Sequence, residues 1–159
     1  METALPGEVV RTGRVRVALP PDRALDLFTA EGEIHWAPGW NPRYVTPPDG
    51  EPVVGGLWLT GEPPEEVIWR VERFDRARRQ AEYLRITPGN RVAVVQVGCA
   101  PEGAGTVATV TYRVVALSDA GRQWLQDFTP ESYAEMMREW ERLIAAHLGA
   151  SGRESAPSR

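Results

Sequence analysis

Apolar and polar residues alternate along five stretches between residues 57 and 117, and this period of two predicts β-strands. The stretches read LWLT, EVIWRVERF, RQAEYLRIT, RVAVVQVGCA and TVATVTYRVVAL, and all are rich in β-branched and aromatic residues. The short separators DRAR, TPGN and PEGAG predict antiparallel hairpins. A further alternating stretch, RVRVAL, predicts a strand near the N-terminus. The pattern therefore indicates an antiparallel sheet with one apolar face.

Apolar residues at spacings of three and four predict helices before and after these strands. Residues 22–28 carry this spacing after two prolines, and a second short helical turn is expected from 29 to about 35. Thr129 and Pro130 favour the start of a long helix, whose apolar stripe continues to Leu148. A helical turn from SDAGRQWLQDF is expected to lead into it. The order of elements predicts an α+β fold in which the long helix covers the apolar face of the sheet.

The chain length of 159 residues and the 42% hydrophobic content fit one domain, predicted at 9–148 with flexible tails at 1–8 and 149–159. The net charge is −4, so a nucleic-acid partner is not expected, and the positive charge comes entirely from arginine because the chain has no lysine. No apolar run approaches the roughly 20 residues of a membrane span. Without a secretion signal, and with Cys99 as the single cysteine, the prediction is a cytoplasmic protein. A free edge strand leaves a homodimer open.

The element order, together with EIHWAPGW, IWRVERFD, EYLRITPGNRV, VTYRVVALSDAG and YAEMMREWERLI, resembles the SRPBCC superfamily over about residues 9–148. These START-like, helix-grip proteins are related to the birch pollen allergen and to polyketide cyclases. The resemblance implies a curved antiparallel sheet of about six or seven strands around a long C-terminal helix, with two short helices after the first strand. It also implies an apolar chamber between sheet and helix. Members of the superfamily bind lipids, sterols, aromatic polyketides or plant hormones there, and some catalyse cyclisation or dehydration.

The residues expected to line this chamber are mostly aromatic. Two of them lie in EIHWAPGWNPRY (33–44), where the resemblance implies a lid. They could stack on a ligand or pack as core plugs, and we expect at least one core plug. The others lie on apolar faces and could fill a core or form the wall of a ligand site. The expected ligand-binding residues are Trp36, Trp40, Trp69, Tyr83, Arg85, Tyr112, Met136, Met137 and Trp140.

The direction of Arg85 stays open at this stage. If Tyr83 points inward, Arg85 does so as well, because the two residues are separated by one position on a strand. A buried guanidinium needs a carboxylate, either from Glu33 or from an acidic ligand, and a solvent-facing arginine is the simpler alternative. Tyr112 places a hydroxyl on an apolar face, where the hydroxyl needs a partner.

Candidate catalytic residues are sparse, and none is assigned. His35 beside Trp36 could transfer protons near neutral pH, although an exposed lid histidine is the simpler interpretation. His147 is expected to lie near a helix end and favour its dipole. Two distant histidines and one cysteine give no metal-ligand spacing, and no phosphate-binding or nucleophile motif is present. No metal or cofactor is therefore expected.

Three functions remain as hypotheses. The first is a carrier or sensor that binds a small apolar or aromatic molecule in the chamber. The second is an enzyme like the polyketide cyclases and dehydratases, in which Tyr112, His35 or Arg85 would act as acid, base or enolate stabiliser. The third is a protein-interaction module with a filled core. The small number of catalytic candidates favours the first hypothesis.

Overall fold

The computed structural model describes residues 4–155, which form a seven-stranded antiparallel sheet and a long C-terminal helix. The strands are β1 (Glu8–Val17), β2 (Arg43–Thr46), β3 (Leu57–Thr60), β4 (Val67–Asp75), β5 (Gln80–Thr87), β6 (Arg91–Glu102) and β7 (Gly105–Ala116). The helices are α1 (Pro21–Ala24), continued by a 3₁₀ turn at Leu25–Phe28, α2 (Ala30–Glu33), α3 (Asp119–Asp127) and α4 (Pro130–Ser155). The predicted α+β, helix-grip architecture is confirmed.

The strand order is β1-β7-β6-β5-β4-β3-β2. Strands β2 to β7 form a meander, and the last of them, β7, pairs with β1. Strand β2 lies within the proline- and glycine-rich stretch, where no strand was predicted. It is four residues long, largely exposed and bulged between Tyr44 and Thr46. Because three of its four residues are exposed, it lacks the apolar face by which the equally short β3 was recognised.

The sheet has the predicted apolar inner face. Ala108, Val110 and Val114 of β7 are no more than 1% exposed. On the opposite face the Thr12 and Thr111 hydroxyls bond across β1 and β7 at 3.0 Å. The alternation in the sequence therefore separates a face that packs from a face in water.

Strand β1 forms one edge of the sheet, and α4 lies along it. The backbone N–H of Arg16 donates to Oε1 of Glu141 at 2.6 Å, so a side chain of α4 satisfies one edge donor. Such coverage reduces the tendency of an edge to pair with another chain. The homodimer stays a prediction.

Helix α4 begins where the sequence indicates. Thr129 Oγ1 accepts from the backbone N–H of Ser132 at 3.0 Å, which is an N-cap bond. The helix then continues to Ser155, so the backbone of residues 149–155, assigned in the sequence analysis to a flexible tail, is helical. Glu8, assigned to the other tail, begins β1. The remaining ends of those tails, 1–3 and 156–159, lie outside the described residues.

No helix in the described range is long and apolar enough to cross a membrane.

Close packing between β1 and α4 depends on Gly13. A Cβ atom at this position would lie 2.6 Å from Cγ of Met137 and 3.2 Å from Cε2 of Tyr133. We expect Gly13→Val to lower the free energy of unfolding by about 1–3 kcal/mol, because it overpacks this contact. Gly98→Val is the matched control, because a Cβ on this β6 glycine meets nothing within 4 Å. Urea unfolding of both variants measures the difference, and equal stabilities would show that α4 does not press on β1 at Gly13.

Candidate functional site

Aromatic side chains attach the short helices to the rest of the molecule. Residues 21–40, which we call the roof segment, lie over the inner face of the sheet. Three hydrogen bonds of similar kind hold this segment, each from an aromatic polar tip to a backbone carbonyl: Trp36 Nε1 to Leu27 (2.7 Å), Trp40 Nε1 to Ala30 (2.8 Å) and Tyr83 Oη to Phe28 (2.7 Å). The bonds from Trp36 and Trp40 lie within the roof segment and fold it on itself, whereas the bond from Tyr83 ties the segment to β5.

Further aromatic contacts connect the roof segment with α4 and the sheet. The Trp36 ring lies edge-on to Trp140 of α4 at 5.5 Å between centroids. Trp40 meets Trp69 of β4 in the same way at 5.4 Å, and Trp69 stacks on Trp58 of β3 at 5.7 Å. Trp36 is only 6% exposed and packs as a core residue. The two tryptophans of EIHWAPGWNPRY thus anchor the roof segment to opposite sides of the space beneath it, which we call the inner space.

Arg85 points into the inner space. It pairs with Trp69 across β4 and β5, and Tyr83, one position before it on the same face, is 4% exposed. Its guanidinium lies over the Trp69 ring, 5.3 Å from the centroid. Among the described residues it has no hydrogen-bond or ion-pair partner, so the pairing with Glu33 considered from the sequence is not formed. The inner face therefore carries a half-buried cation whose only close aromatic or polar contact is an indole ring.

Glu33, the last residue of α2, and Tyr112 of β7 add two polar groups to the same region. Desolvation by burial raises the pKa of Glu33 from 4.5 to about 8. Burial also raises the pKa of Tyr112 to about 12, while nearby Arg85 lowers it and Glu33 raises it. Tyr112 is therefore within electrostatic range of both charged groups. The sequence analysis named Glu33 only as a partner for Arg85 and missed it as a site residue, because nothing in EGEIHW shows that its carboxyl is buried.

Both Glu33 and Tyr112 keep some accessible surface, although the protein desolvates them. Tyr112 is half-buried on the inner face of the sheet. The hydroxyl of Tyr112 has no hydrogen bond to any described residue. An unpartnered hydroxyl in such a place is available to a bound molecule.

The other inner tyrosines use their hydroxyls within the protein. Tyr83 donates to the roof segment as described, and Tyr133 of α4 donates to the carbonyl of Val110 at 2.6 Å. Burial raises the pKa of both phenols. These two hydroxyls are structural, which leaves Tyr112 as the inner phenol with a free polar end.

The three candidate residues of α4 lie in different surroundings. Met137 is 3% exposed and packs on Gly13, so it belongs to the contact with β1. Met136 and Trp140 are half-buried, and Trp140 also approaches Phe28 at 6.4 Å. The helix thus presents one flank to the edge of the sheet and another to the inner space and the roof segment.

The two histidines, which are remote in the sequence, meet in space. The ring of His35, just after α2, stacks on that of His147 at 5.5 Å with an angle of 19°. The prediction that His147 lies at a helix end was wrong, because α4 continues for two further turns. No group of three or more potential metal ligands occurs among the described residues.

Other features of the described surface are less suited to an apolar ligand. Two open grooves of about 460 and 740 Å³ flank α4 on its outer side and are bordered by charged residues such as Arg16 and Glu141. A recess beside Trp58 has room for the centre of a water molecule only, about 10 Å³. Cys99 is buried on the inner face, where desolvation raises the pKa of its thiol to about 11, so it is an unreactive apolar residue.

No protein-family model matches the chain, and no curated protein matches it in sequence. Solved structures do match. Ara h 8.0201 superposes with a TM-score of 0.63 at 14% identity, over 88% of this chain and 99% of that one. Norcoclaurine synthase from Thalictrum flavum gives 0.61 at 14% identity, over 91% and 94%. The Mll3558 protein from Rhizobium loti gives 0.61 at 15% identity, over 88% and 96%.

These neighbours belong to the SRPBCC, or Bet v 1-like, superfamily, which confirms the resemblance drawn from the sequence at the level of the fold. One norcoclaurine synthase structure contains dopamine and hydroxybenzaldehyde. At identities of 14–16% the likeness shows the helix-grip fold and assigns no role to single residues of this chain.

The buried carboxyl of Glu33 predicts a pH dependence of stability. Because its pKa is raised from 4.5 to about 8, the folded protein holds a proton that the unfolded chain releases between these values. The stability contributed by this proton is fully present below pH 4.5 and is lost as the pH rises to about 8. We expect Glu33→Gln to weaken this decline and to be more stable than the wild type at pH 8. Urea unfolding from pH 5 to 8.5 measures it.

The control is Glu62→Gln, which alters an exposed carboxylate in the loop before β4. This variant should keep the wild-type slope of stability against pH. If Glu33→Gln also keeps that slope, the carboxyl of Glu33 is solvated in the folded protein and does not face an enclosed space.

Proposed function

We propose that this protein binds a small apolar or aromatic molecule in the inner space, as a carrier or sensor. The observation that carries the proposal is the combination of accessible surface and desolvation at Glu33 and Tyr112. A core filled by side chains leaves no such surface, whereas an apolar pocket with a few polar groups is typical of ligand sites. The fold is shared with norcoclaurine synthase, one of whose structures is a complex with two aromatic compounds, dopamine and hydroxybenzaldehyde, and this supports a small-molecule ligand.

The proposed contacts divide the predicted residues by their surroundings. Residues with free polar ends or accessible surface would touch the ligand, namely Trp40, Arg85, Tyr112, Met136 and Trp140. The remaining four of the predicted set are buried and hold the walls in position, namely Trp36, Trp69, Tyr83 and Met137. Indole and phenol rings supply rigid apolar area, and methionine adapts to the shape of a ligand.

A small side chain lies beside Arg85 in the middle of the sheet. Across β5, β6 and β7, Arg85 pairs with Ala93, and Ala93 pairs with Val114. The next row contains Tyr83, Val95 and Tyr112. A residue larger than the buried Ala93 would crowd the Arg85 side chain on this face.

A neutral fluorophore tests the proposal. N-phenyl-1-naphthylamine brightens in apolar surroundings and carries no charge, so its binding does not depend on the arginines. We expect saturable binding to the wild type and at least a tenfold loss of affinity in Tyr112→Trp, whose larger ring occupies part of the inner space. A tenfold loss corresponds to about 1.4 kcal/mol.

The matched control is Thr111→Trp, which adds the same ring one residue away on the outer face of β7. This variant should bind the fluorophore as the wild type does. Absence of saturable binding to the wild type would overturn the proposal, as would an equal loss of affinity in the two variants.

A specific observation also supports the enzyme hypothesis. A buried carboxyl with a pKa near 8, within electrostatic range of a free phenol, is suited to proton transfer at neutral pH. In this second proposal Glu33 removes a proton next to a ligand carbonyl, and Tyr112 or Arg85 stabilises the enolate. Cyclisation and dehydration of polyketide-like compounds begin with such a step. Glu33 thus replaces His35 as the proposed base, because His35 is exposed.

Exchange of a carbon-bound proton reports this step without knowledge of the natural substrate. In D₂O at pH 8, we expect the wild type to accelerate deuterium incorporation into the methyl group of acetophenone above the buffer rate, as measured by NMR. Glu33→Gln should return the rate to background, because an amide is not a base at this pH, and Glu62→Gln should not. A wild-type rate equal to that of buffer counts against the enzyme and leaves ligand binding as the function.

A further inference from the structure

Two arginines lie on the inner face of the sheet near the end that α3 covers. Arg85 is described above, and Arg91 of β6 lies on the same face because Ala93 and Val95 of that strand are buried there. The guanidinium carbon of Arg91 lies 3.7 Å from the ring centroid of Trp124 in α3. Desolvation lowers the pKa of Arg91 to about 10, and the nearby charge of Arg85 lowers it as well. The two cations therefore share one region of positive potential.

Neither arginine has a carboxylate partner among the described residues. Arg91 Nη1 donates to the side-chain oxygen of Asn90 at 2.8 Å, and its buried Nε has no partner. The hydroxyl of Thr87, which pairs with Arg91 across β5 and β6, is also buried without one. Glu65 favours the charged form of Arg91 from a distance but is itself exposed.

Several arginines elsewhere in the described chain have carboxylate partners. Arg113, on the outer face of β7, pairs with Glu8 at 3.0 Å, and Arg70 of β4 pairs with Glu72 at 2.9 Å. Arg85, half-buried on the inner face, has no such neighbour, although removing a cation from water without an anion is costly. An anion that the ligand brings would supply the missing partner.

We propose that the ligand is an apolar or aromatic carboxylic acid whose carboxylate binds to Arg85, with Arg91 adding positive potential behind it. The inference rests on the proposed function, since it names the class of molecule that the inner space takes. The body of the acid would lie towards Trp140 and Met136, on the side of α4.

The chemistry of the groups favours a carboxylate over a neutral polar head. The guanidinium carbon of Arg85 lies over the Trp69 ring, and the N–H groups make no hydrogen bond to a described residue, so they remain available. A planar guanidinium presents two parallel N–H donors, which match the two oxygens of a carboxylate. Tyr112, within electrostatic range of Arg85, can donate a third hydrogen bond from its free hydroxyl.

A pair of compounds with the same body tests the proposal. Naphthalene-2-carboxylate and naphthalene-2-methanol differ in the charge of the head group, and each can displace N-phenyl-1-naphthylamine at pH 7. We expect the wild type to bind the carboxylate at least tenfold more tightly than the alcohol. Arg85→Gln should remove this preference by weakening the carboxylate at least tenfold while changing the affinity for the alcohol by less than twofold. Arg85→Lys should keep part of the preference, because lysine keeps the positive charge but lacks the two parallel N–H donors of the guanidinium.

The control is Arg70→Gln, which removes an exposed arginine next to Trp69 on the outer face and should leave both affinities unchanged. Thermal unfolding shows whether each variant is folded, and the comparison of the two compounds on the wild type does not depend on any variant. If the wild type binds both compounds equally, or if Arg85→Gln keeps the preference, the carboxylate assignment is wrong and the proposed function stands. If the wild type binds the fluorophore and neither compound displaces it, the assignment is also wrong. If the wild type does not bind the fluorophore, the proposed function fails first.

Discussion

The conformation and position of the roof segment depend on three hydrogen bonds that aromatic side chains donate to its carbonyls: two fold the segment on itself, and the third, from Tyr83, ties it to β5. Helices α1 and α2 have four residues each, and helices of this length are not stable alone. The donors are the indoles of Trp36 and Trp40 and the phenol of Tyr83, and all three rings are also packed against other aromatic rings or buried in the core. Since each ring combines apolar burial with a satisfied carbonyl, the segment has a defined place although it lacks regular structure.

This attachment decides which polar groups face the inner space. The hydroxyl of Tyr83 donates its hydrogen bond to the roof segment, and the hydroxyl of Tyr133 in α4 donates to β7, so neither is available to a ligand. The attachment also brings Glu33, at the end of α2, under the roof, where the surrounding protein desolvates its carboxyl. Tyr112 and Arg85 remain with free polar ends on the sheet. The inner space is therefore polar at a few positions only, and each of these positions follows from which hydrogen bonds the fold has already used.

The sequence predicted the architecture well, because alternation and helical spacing report directly on which side of an element is buried. It predicted the cap at Thr129 and the inward face of β7, since both depend on neighbours in the chain. It could not decide the direction of Arg85, which follows from the observed burial of Tyr83. It also missed the stacking of His35 on His147, because that contact joins residues remote in the chain and depends on how far α4 extends. The desolvation of Glu33 likewise needs the whole roof in place.

An unpaired arginine and a desolvated carboxyl in one space argue against the hypothesis of a module with a filled core. Apolar residues of similar volume at positions 33 and 85 would be neutral or stabilising if packing were the only role of this region. The chain instead retains Glu33 and Arg85 without joining them in an ion pair, and the small Ala93 lies beside Arg85. Burial disfavours the charged form of Glu33, and under the proposed function a bound molecule that contacts these groups would stabilise the folded state. If this region is the ligand site that we propose, the arginine, more than the aromatic walls, indicates the class of the ligand.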